Sequence, residues 1–363
     1  MKGRNFSWLI LTLIVLLFFL CLAGNVAANQ DKQTQKIYRW KVQHFAGAGT
    51  MFDEWGKHLA ERITEMSDGH LVIDYNSGGS IVSASELPNA VSSGLLDAAN
   101  SYSALWQGYE YAAPLFCASP GLFSDGRDMI AWLYKGNGLE LWQEMLDPYG
   151  VKVFPCTITD MEVFQYSNKP IRSIEDMKGL RMRMMPLMGE VLSDHGMSVF
   201  FLPGSEVVPS LEKHVIDSAE YTMPAVDIDL GFADAVKFFH YPGIHQPSSI
   251  GEFIINADSW AELPDYLKLV VETACSELLW YSWLDQGERN LKAIAEFKEK
   301  GVEQVILPDD VLQTMNNWID EWYAKKVQEE PFLKKVRESQ VEFAKEWLPY
   351  KESIYIPPPE WAK

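Results

Sequence analysis

The chain has 363 residues, 47% of them hydrophobic, and a formal net charge of -19 at pH 7. So acidic a surface repels nucleic acid and anionic lipid, which excludes both as general partners and leaves an anion only a local positive site to bind. The length exceeds what one hydrophobic core usually supports and indicates two domains.

The first 28 residues have the pattern of a cleaved signal peptide. Lys2 and Arg4 precede an uncharged apolar run, residues 8–23, that is short for a membrane-spanning helix. Small residues then occupy positions 26–28, so we predict cleavage after Ala28. We therefore expect an extracytoplasmic, periplasmic protein; an uncleaved N-terminal anchor is the alternative.

Segments with strand and helix periodicity alternate through the body of the chain. Strands are predicted at 38–43 and 71–75, and helices at 51–67 and through 90–91. Further strands are predicted at 151–154, 181–184, 199–202, 218–221, 236–240 and 251–256. This alternation is typical of α/β layers with mostly parallel sheets.

The C-terminal third has a helical pattern. Residues 264–300 predict one helix of roughly 50 Å, long enough to join two lobes. A second helical stretch covers 309–348 and is interrupted at Pro331. Three cysteines remain after the predicted cleavage, Cys117, Cys156 and Cys275; an odd number implies no disulfide framework, and we expect buried thiols.

The usual catalytic signatures are absent from the sequence. The seven histidines include no pair at metal-binding helical spacing with an intervening glutamate. Neither a Gly-x-Ser-x-Gly nucleophile elbow nor a phosphate-binding glycine loop is present. An enzyme is therefore the weaker hypothesis.

Residues 173–183, SIEDMKGLRMR, carry the most specific signal. They resemble the DLKGLKMR signature of the substrate-binding subunits of TRAP (tripartite ATP-independent periplasmic) transporters, the DctP-like family. Residues 91–97 resemble the AVSSG helix end of that family. Residues 189–192, 202–204 and 241–245 match, in order, the branch that binds 2-oxo and 2-hydroxy acids. The resemblance covers about residues 40–347.

The resemblance implies a two-lobed, type II periplasmic-binding-protein-like α/β fold with a long hinge-spanning helix and two crossovers between lobes. The first lobe is expected at 38–160 plus 247–363, including the long and C-terminal helices, and the second at 161–246. The implied function is a solute-binding protein, not an enzyme, that captures a small organic carboxylate for the TRAP membrane subunits. A homodimer through the C-terminal helical stretch is a further implication.

Carried over residue by residue, Arg183 falls on the arginine that holds the ligand carboxylate. A guanidinium suits this role because it offers two parallel donors in a rigid fork and stays charged when desolvated. A structural ion pair is the alternative. The other expected ligand-contacting residues are Tyr102, Tyr221, Phe201 and Trp106. Since Ala104, Leu105 and Phe201 replace more polar residues of the family, we expect a larger apolar side group than that of pyruvate; ordinary core packing is the alternative.

In the same branch a cation lies beside the ligand carboxylate. The matching positions here are Glu162, Glu220 with Tyr221, and Gln246. The family has glutamine at the first of these positions and glutamate at the last. In this chain the two are exchanged, so two carboxylates remain. Hard oxygen ligands suit a sodium or calcium ion. A polar cleft without an ion, or with one protonated glutamate, is the alternative.

Two other functions remain open on sequence alone. One is a binding protein that serves a sensor, and the other is a periplasmic enzyme that acts on a small acid. Neighbouring genes for two membrane subunits would favour the transporter. A neighbouring sensor-kinase gene would favour a binding protein that serves a sensor.

Overall fold

The computed structural model describes residues 36–202, 204–357 and 359. The predicted signal peptide lies outside these residues. The described strands are β1 Tyr38–His44, β2 Leu71–Asn76, β3 Ala98–Tyr102, β4 Val151–Ile158, β5 Gln165–Ser167, β6 Arg181–Arg183, β7 Ser198–Phe200, β8 Ser218–Ala219, β9 Phe238–Tyr241, β10 Ile250–Asn256 and β11 Glu303–Ile306.

The described helices include one very long helix near the C-terminus. In chain order they are α1 Met51–Met66, α2 Leu87–Ser92, α3 Pro114–Cys117, α4 Gly126–Lys135, α5 Gly138–Leu146, α6 Ile174–Met177, α7 Pro186–Asp194, α8 Gly204–Glu212, α9 Pro224–Asp227, α10 Phe232–Ala235, α11 Ala257–Ala261, α12 Asp265–Glu299, α13 Asp309–Glu329 and α14 Pro331–Ser353. None of these described helices combines the length and hydrophobicity that a membrane crossing requires.

The strands form two mixed sheets, with orders β2-β1-β3-β10-β4 and β11-β9-β5-β8-β6-β7. In the first sheet β10 runs antiparallel to β3 and β4, and in the second β5 runs antiparallel to β8 and β9. The remaining pairings are parallel. Parallel pairings are thus the majority, as predicted, and β5 and β10 are the exceptions. Each is the strand that the chain enters on crossing from the other sheet, so no βαβ connection sets its direction.

Helix α1 shows how local sequence fixes one layer of the first sheet. Thr50 caps its N-terminus, accepting a hydrogen bond from the Asp53 main-chain N–H at 3.2 Å. The apolar residues Phe52, Trp55 and Ile63 recur at helical spacing along one side of α1 and are buried. They pack into one core with β1 and the first half of α12. Amphipathic spacing and a capping residue thus suffice to place this helix.

The chain crosses between the sheets at residues 159–164, at 242–249 and along α12. At 35 residues, α12 is about 52 Å long. Leu267 and Leu278 pack in the core of the first sheet, whereas Phe297 packs in that of the second. The helix leads into β11, which pairs with β9. Residues 303–306 therefore belong to the second sheet, although the sequence-based division placed all of 247–363 in the first lobe.

The C-terminal helices pack back onto the protein. The buried positions of α14, among them Leu333, Val336 and Ala344, face α13, α4 and α5. The three predicted buried thiols, Cys117, Cys156 and Cys275, are free and buried.

Glu252 on β10 is a fully buried carboxyl in the first lobe. Its Oε1 accepts a hydrogen bond from Trp106 Nε1 at 3.0 Å. Burial raises the pKa of Glu252 from 4.5 to about 8. The folded state therefore keeps a proton that the unfolded chain releases. The preference of the folded state for protonated Glu252 contributes fully to the free energy of unfolding below about pH 4.5. This contribution is lost as the pH rises through about 8.

Glu252→Gln keeps an acceptor for Trp106 and removes the titration. We expect the variant and the wild type to be similarly stable near pH 4.5, and the variant to be more stable near pH 9 by on the order of 4 kcal/mol. Urea unfolding at the two pH values measures the difference, with the exposed Glu140→Gln as a matched control. If the free energies of unfolding of Glu252→Gln and the wild type differed by the same amount at both pH values, Glu252 would not be a buried, neutral carboxyl.

Candidate functional site

Arg183 is the last residue of β6 and is only 5% exposed. Its Nη1 lies 2.6 Å from Glu220 Oε1 and also donates to the Glu220 main-chain oxygen at 3.0 Å. Its Nε donates to the main-chain oxygen of Leu202 at 3.4 Å. In contrast, the Met185 sulfur, at 3.8 Å, is the only group of the described residues within bonding range of Nη2. The guanidinium is thus fixed along one edge and weakly bonded at the other.

Arg181, two residues earlier on the same strand, has a different environment. Its Nε and Nη2 each lie 2.9 Å from an oxygen of Asp217. Nη2 also donates to the His214 main-chain oxygen at 2.7 Å, in a partly exposed position. Arg181 therefore has a surface carboxylate partner, and Arg183 is the buried one of the two.

A carboxylate cluster lies beside Arg183. Glu162 belongs to the first crossover, Glu220 follows β8, and His245 belongs to the second crossover. One oxygen or nitrogen from each of these three side chains lies within 4.8 Å of the other two. Glu162 also accepts a hydrogen bond from Gln246 Nε2 at 2.6 Å. The two crossovers and one strand end thus converge on a single point.

Two glycines make this convergence possible. A Cβ at Gly243 would overlap the main-chain oxygen of Glu162, so only glycine lets the two crossovers approach so closely. A Cβ at Gly204 would overlap the phenol of Tyr221. Both glycines lie in segments that match the family. At each of them, the main chain lies too close to a neighbouring residue to leave room for a side chain.

Burial dominates the electrostatics of the cluster. It raises the pKa of Glu162 to about 8, against the opposing effect of Arg183. It also raises the pKa of Glu220, although Arg183 and His245 oppose the shift. Burial lowers the pKa of His245 to about 4, so its imidazole is neutral near pH 7. Negative charge is therefore costly here unless more positive charge is present.

The cluster also has unused acceptor and nitrogen positions. Among the described residues, Glu220 Oε2 and His245 Nδ1 are buried without a hydrogen-bond partner. A buried polar atom that lacks a partner destabilises a fold by about 1–3 kcal/mol. The donor set, two carboxylates beside an amide, consists of the oxygen ligands that hard cations prefer.

The other predicted ligand residues divide into two groups. Around the guanidinium carbon, the Phe201 ring lies at 5.6 Å and the Tyr221 ring at 5.8 Å, within cation–π range. Tyr102, at the end of β3, packs against Phe45 with ring centroids 4.4 Å apart. Burial raises the pKa of Tyr102, and the nearby Cys117, Glu162 and Tyr221 add to the shift.

Trp106 lies apart from these residues. Its indole donates to Glu252, and its ring packs against Tyr109 and Tyr149 with centroids 5.6 and 5.4 Å away. Conversely, His245 is part of the cluster although the sequence did not single it out. It ends the segment 241–245 that matches the family, next to the candidate Gln246, and that position was the available signal.

Comparison with known proteins agrees with this architecture. The family model for bacterial extracellular solute-binding protein, family 7, matches residues 42–330. The chain is 27% identical over 335 residues to a monocarboxylate 2-oxoacid-binding periplasmic protein of Nostoc sp. strain PCC 7120, which covers 92% of this chain and 89% of that protein.

Solved structures of TRAP periplasmic solute-binding proteins superimpose on the fold. The protein from Pseudoalteromonas atlantica T6c, with bound sodium and pyruvate, has a TM-score of 0.82 and 27% identity, covering 88% of this chain and 97% of its own. The protein from Colwellia psychrerythraea, with bound calcium and pyruvate, has a TM-score of 0.83 and 26% identity, covering 88% and 98%. The expected family and fold are confirmed, and an enzymatic role is not a property of this family. This chain belongs to family 7 of the bacterial extracellular solute-binding proteins.

Proposed function

We propose that this protein captures a small organic monocarboxylate, a 2-oxo or 2-hydroxy acid, and delivers it to the membrane subunits of a TRAP transporter. It would do so outside the cytoplasm after cleavage of residues 1–28. The observation that carries the proposal is the buried guanidinium of Arg183, whose Nη2 has only a thioether partner within the described part of the chain. The pyruvate bound to the two solved relatives and the name of the Nostoc protein support it.

The free edge of Arg183 is suited to a carboxylate. A methionine sulfur is a weak acceptor, and the 3.4 Å contact from Nε is long, so a ligand carboxylate would replace two poor contacts by a charged pair. Tyr102 would approach from the first lobe, and the second lobe would supply Arg183 and Tyr221. Residues 38–160 and 161–246 would thus close on the ligand from opposite sides.

The side group of the ligand would lie among apolar residues. Phe201 is 58% exposed beside Arg183, and Leu105 replaces a tyrosine of the family. An aromatic or branched side group would cover the exposed Phe201 ring and gain from its burial. The proposed pocket does not include Trp106, because its indole is already bonded to Glu252.

The cluster beside Arg183 fits a cation. A ligand carboxylate would add a negative charge next to Glu162 and Glu220, which one guanidinium does not balance. A sodium or calcium ion, as in the two solved relatives, would supply positive charge between these groups. Glu162, Glu220, the main-chain oxygen of Tyr221 and the amide oxygen of Gln246 would hold it. Since the Gln246 amide donates to Glu162, this requires a half-turn of the amide.

A ligand screen tests the proposed class. Pyruvate, lactate, longer-chain 2-oxo acids and aromatic 2-oxo acids should each raise the unfolding temperature, because a ligand at a hundredfold its dissociation constant adds about 2.7 kcal/mol. Larger apolar side groups should give larger shifts. Stabilisation by sugars or amines, with none by any carboxylate, would show that the class is wrong.

Arg183→Ala should weaken pyruvate binding by roughly a hundredfold or more, because a buried charge-assisted contact is lost. Arg181→Ala is the matched control and should bind as the wild type does, since Arg181 already pairs with Asp217. Titration calorimetry measures both, and circular dichroism confirms folding. Undiminished affinity in folded Arg183→Ala would remove this residue from the site.

Ligand affinity should depend on the cation. Removing sodium, or adding a calcium chelator, should weaken binding according to which ion the site holds, and Glu220→Gln should weaken it further. The exposed Glu175→Gln is the control. If one glutamate is instead protonated, affinity would ignore every cation and would fall as pH rises through about 8, where Glu162 ionises.

A further inference from the structure

Residues 189–192, GEVL, match the family but contribute no group to the proposed ligand or cation site. Their one charged side chain is Glu190 of α7. Glu190 Oε1 accepts a hydrogen bond from the Tyr111 hydroxyl at 2.5 Å. Its Oε2 accepts from Trp322 Nε1 at 3.2 Å and lies 3.1 Å from Lys326 Nζ. One carboxylate thus joins α7, α13 and the loop that precedes α3.

Tyr111 belongs to the first lobe. It ends a short segment, residues 102–111, that starts at Tyr102, the proposed ligand contact at the end of β3. Trp106 fixes this segment to the first sheet, because its indole donates to Glu252 of β10 at 3.0 Å. Tyr102 and Tyr111 are therefore the two ends of one segment that is anchored in its middle.

Glu190 belongs to the second lobe and is joined to Arg183 in a similar way. Arg183 ends β6, and α7 starts after two further residues. A Cβ at Gly189 would lie 3.3 Å from Val199 Cγ1, so α7 packs closely on β7, the strand next to β6. Arg183 and Glu190 are therefore fixed relative to each other.

Helix α13 supports the contact from a third side. At the C-terminal end of α7, the rings of His195 and Trp318 stack with centroids 4.2 Å apart. The Tyr111 and Trp322 rings stack at 6.2 Å, and Lys326 Nζ lies 4.9 Å from the centre of the Tyr111 ring. Burial raises the pKa of Tyr111 to about 12, so its phenol keeps the proton that it donates.

We propose that the Tyr111–Glu190 hydrogen bond holds the two lobes closed and so keeps Arg183 opposite Tyr102. Glu190 is then a positioning residue, which acts on the ligand through Arg183 without touching it. A phenol that donates to a carboxylate forms a strong bond, but only within about 3 Å, so a lobe rotation that moves Tyr111 by about 1 Å breaks it. This inference rests on the proposed function, in which the ligand is bound between the closed lobes.

Two variants of the full chain test the contact. Tyr111→Phe keeps the ring and removes the hydroxyl, and Glu190→Gln keeps the shape and removes the charge. Each should weaken pyruvate binding by about tenfold, mainly through faster release, because a smaller fraction of the protein is closed. Calorimetry measures the affinity and stopped-flow fluorescence the release rate. Tyr109→Phe is the matched control and should bind as the wild type does, since Tyr109 packs on Tyr149 within the first lobe.

Small-angle X-ray scattering without a ligand tests the contact whatever the ligand class. Tyr111→Phe and Glu190→Gln should each have a larger radius of gyration than the wild type and Tyr109→Phe. If no 2-oxo or 2-hydroxy acid binds the wild type, the proposed function is wrong, and this comparison alone decides whether the contact closes the lobes.

Thermal unfolding checks that each variant is folded and separates closure from simple support of the fold. A lower unfolding temperature, with the release rate and radius of gyration of the wild type, would mean that the contact only supports the fold and would overturn the proposal. Wild-type radii in both folded variants would overturn it as well.

Discussion

The buried ion pair between Arg183 and Glu220 sets the electrostatics of the cleft. A guanidinium that water cannot reach is stable only when its charge and its donors are matched. The fold meets this demand on the Nη1 edge alone, with the carboxylate and the main-chain oxygen of Glu220. The other edge has no comparable partner among the described residues, and a ligand carboxylate is the group that would match it.

The topology places this pair where the chain changes sheets. Glu162 lies in the first crossover, and His245 with Gln246 lies in the second, while Arg183 and Glu220 end neighbouring strands of the second sheet. The segments that connect the lobes are thus the segments that line the site. A change in the angle between the two sheets would move these side chains relative to Tyr102, so in the proposed site lobe closure would bring both sets of contacts to the ligand.

Local sequence patterns predicted the elements that local physics controls. Helices α1 and α12 follow from an apolar stripe or a long run without proline. Strands β3, β5 and β11 were missed because they are short and lack apolar alternation; β3, for example, reads AANSY. The antiparallel direction of β5 and β10 depends on pairing between distant segments, which periodicity does not encode.

The site was predictable only as far as the family resemblance reached. Both Arg181 and Arg183 lie on one short strand, and the family signature, not the chemistry of arginine, distinguished them before the structure did. The place of Trp106 beside Glu252, and of His245 beside Glu162, depends on side-chain packing that no motif records. The exchange of Gln and Glu at positions 162 and 246 was visible in the sequence, but its geometry was not.

A crystal structure with pyruvate and calcium tests the central claim most directly. The carboxylate of pyruvate should lie against Nη2 and Nε of Arg183. The calcium ion should lie about 2.3–2.6 Å from oxygens of Glu162, Glu220 and the ligand. A ligand bound away from Arg183, or a water molecule in the position of the ion while the ligand is bound, would contradict the account.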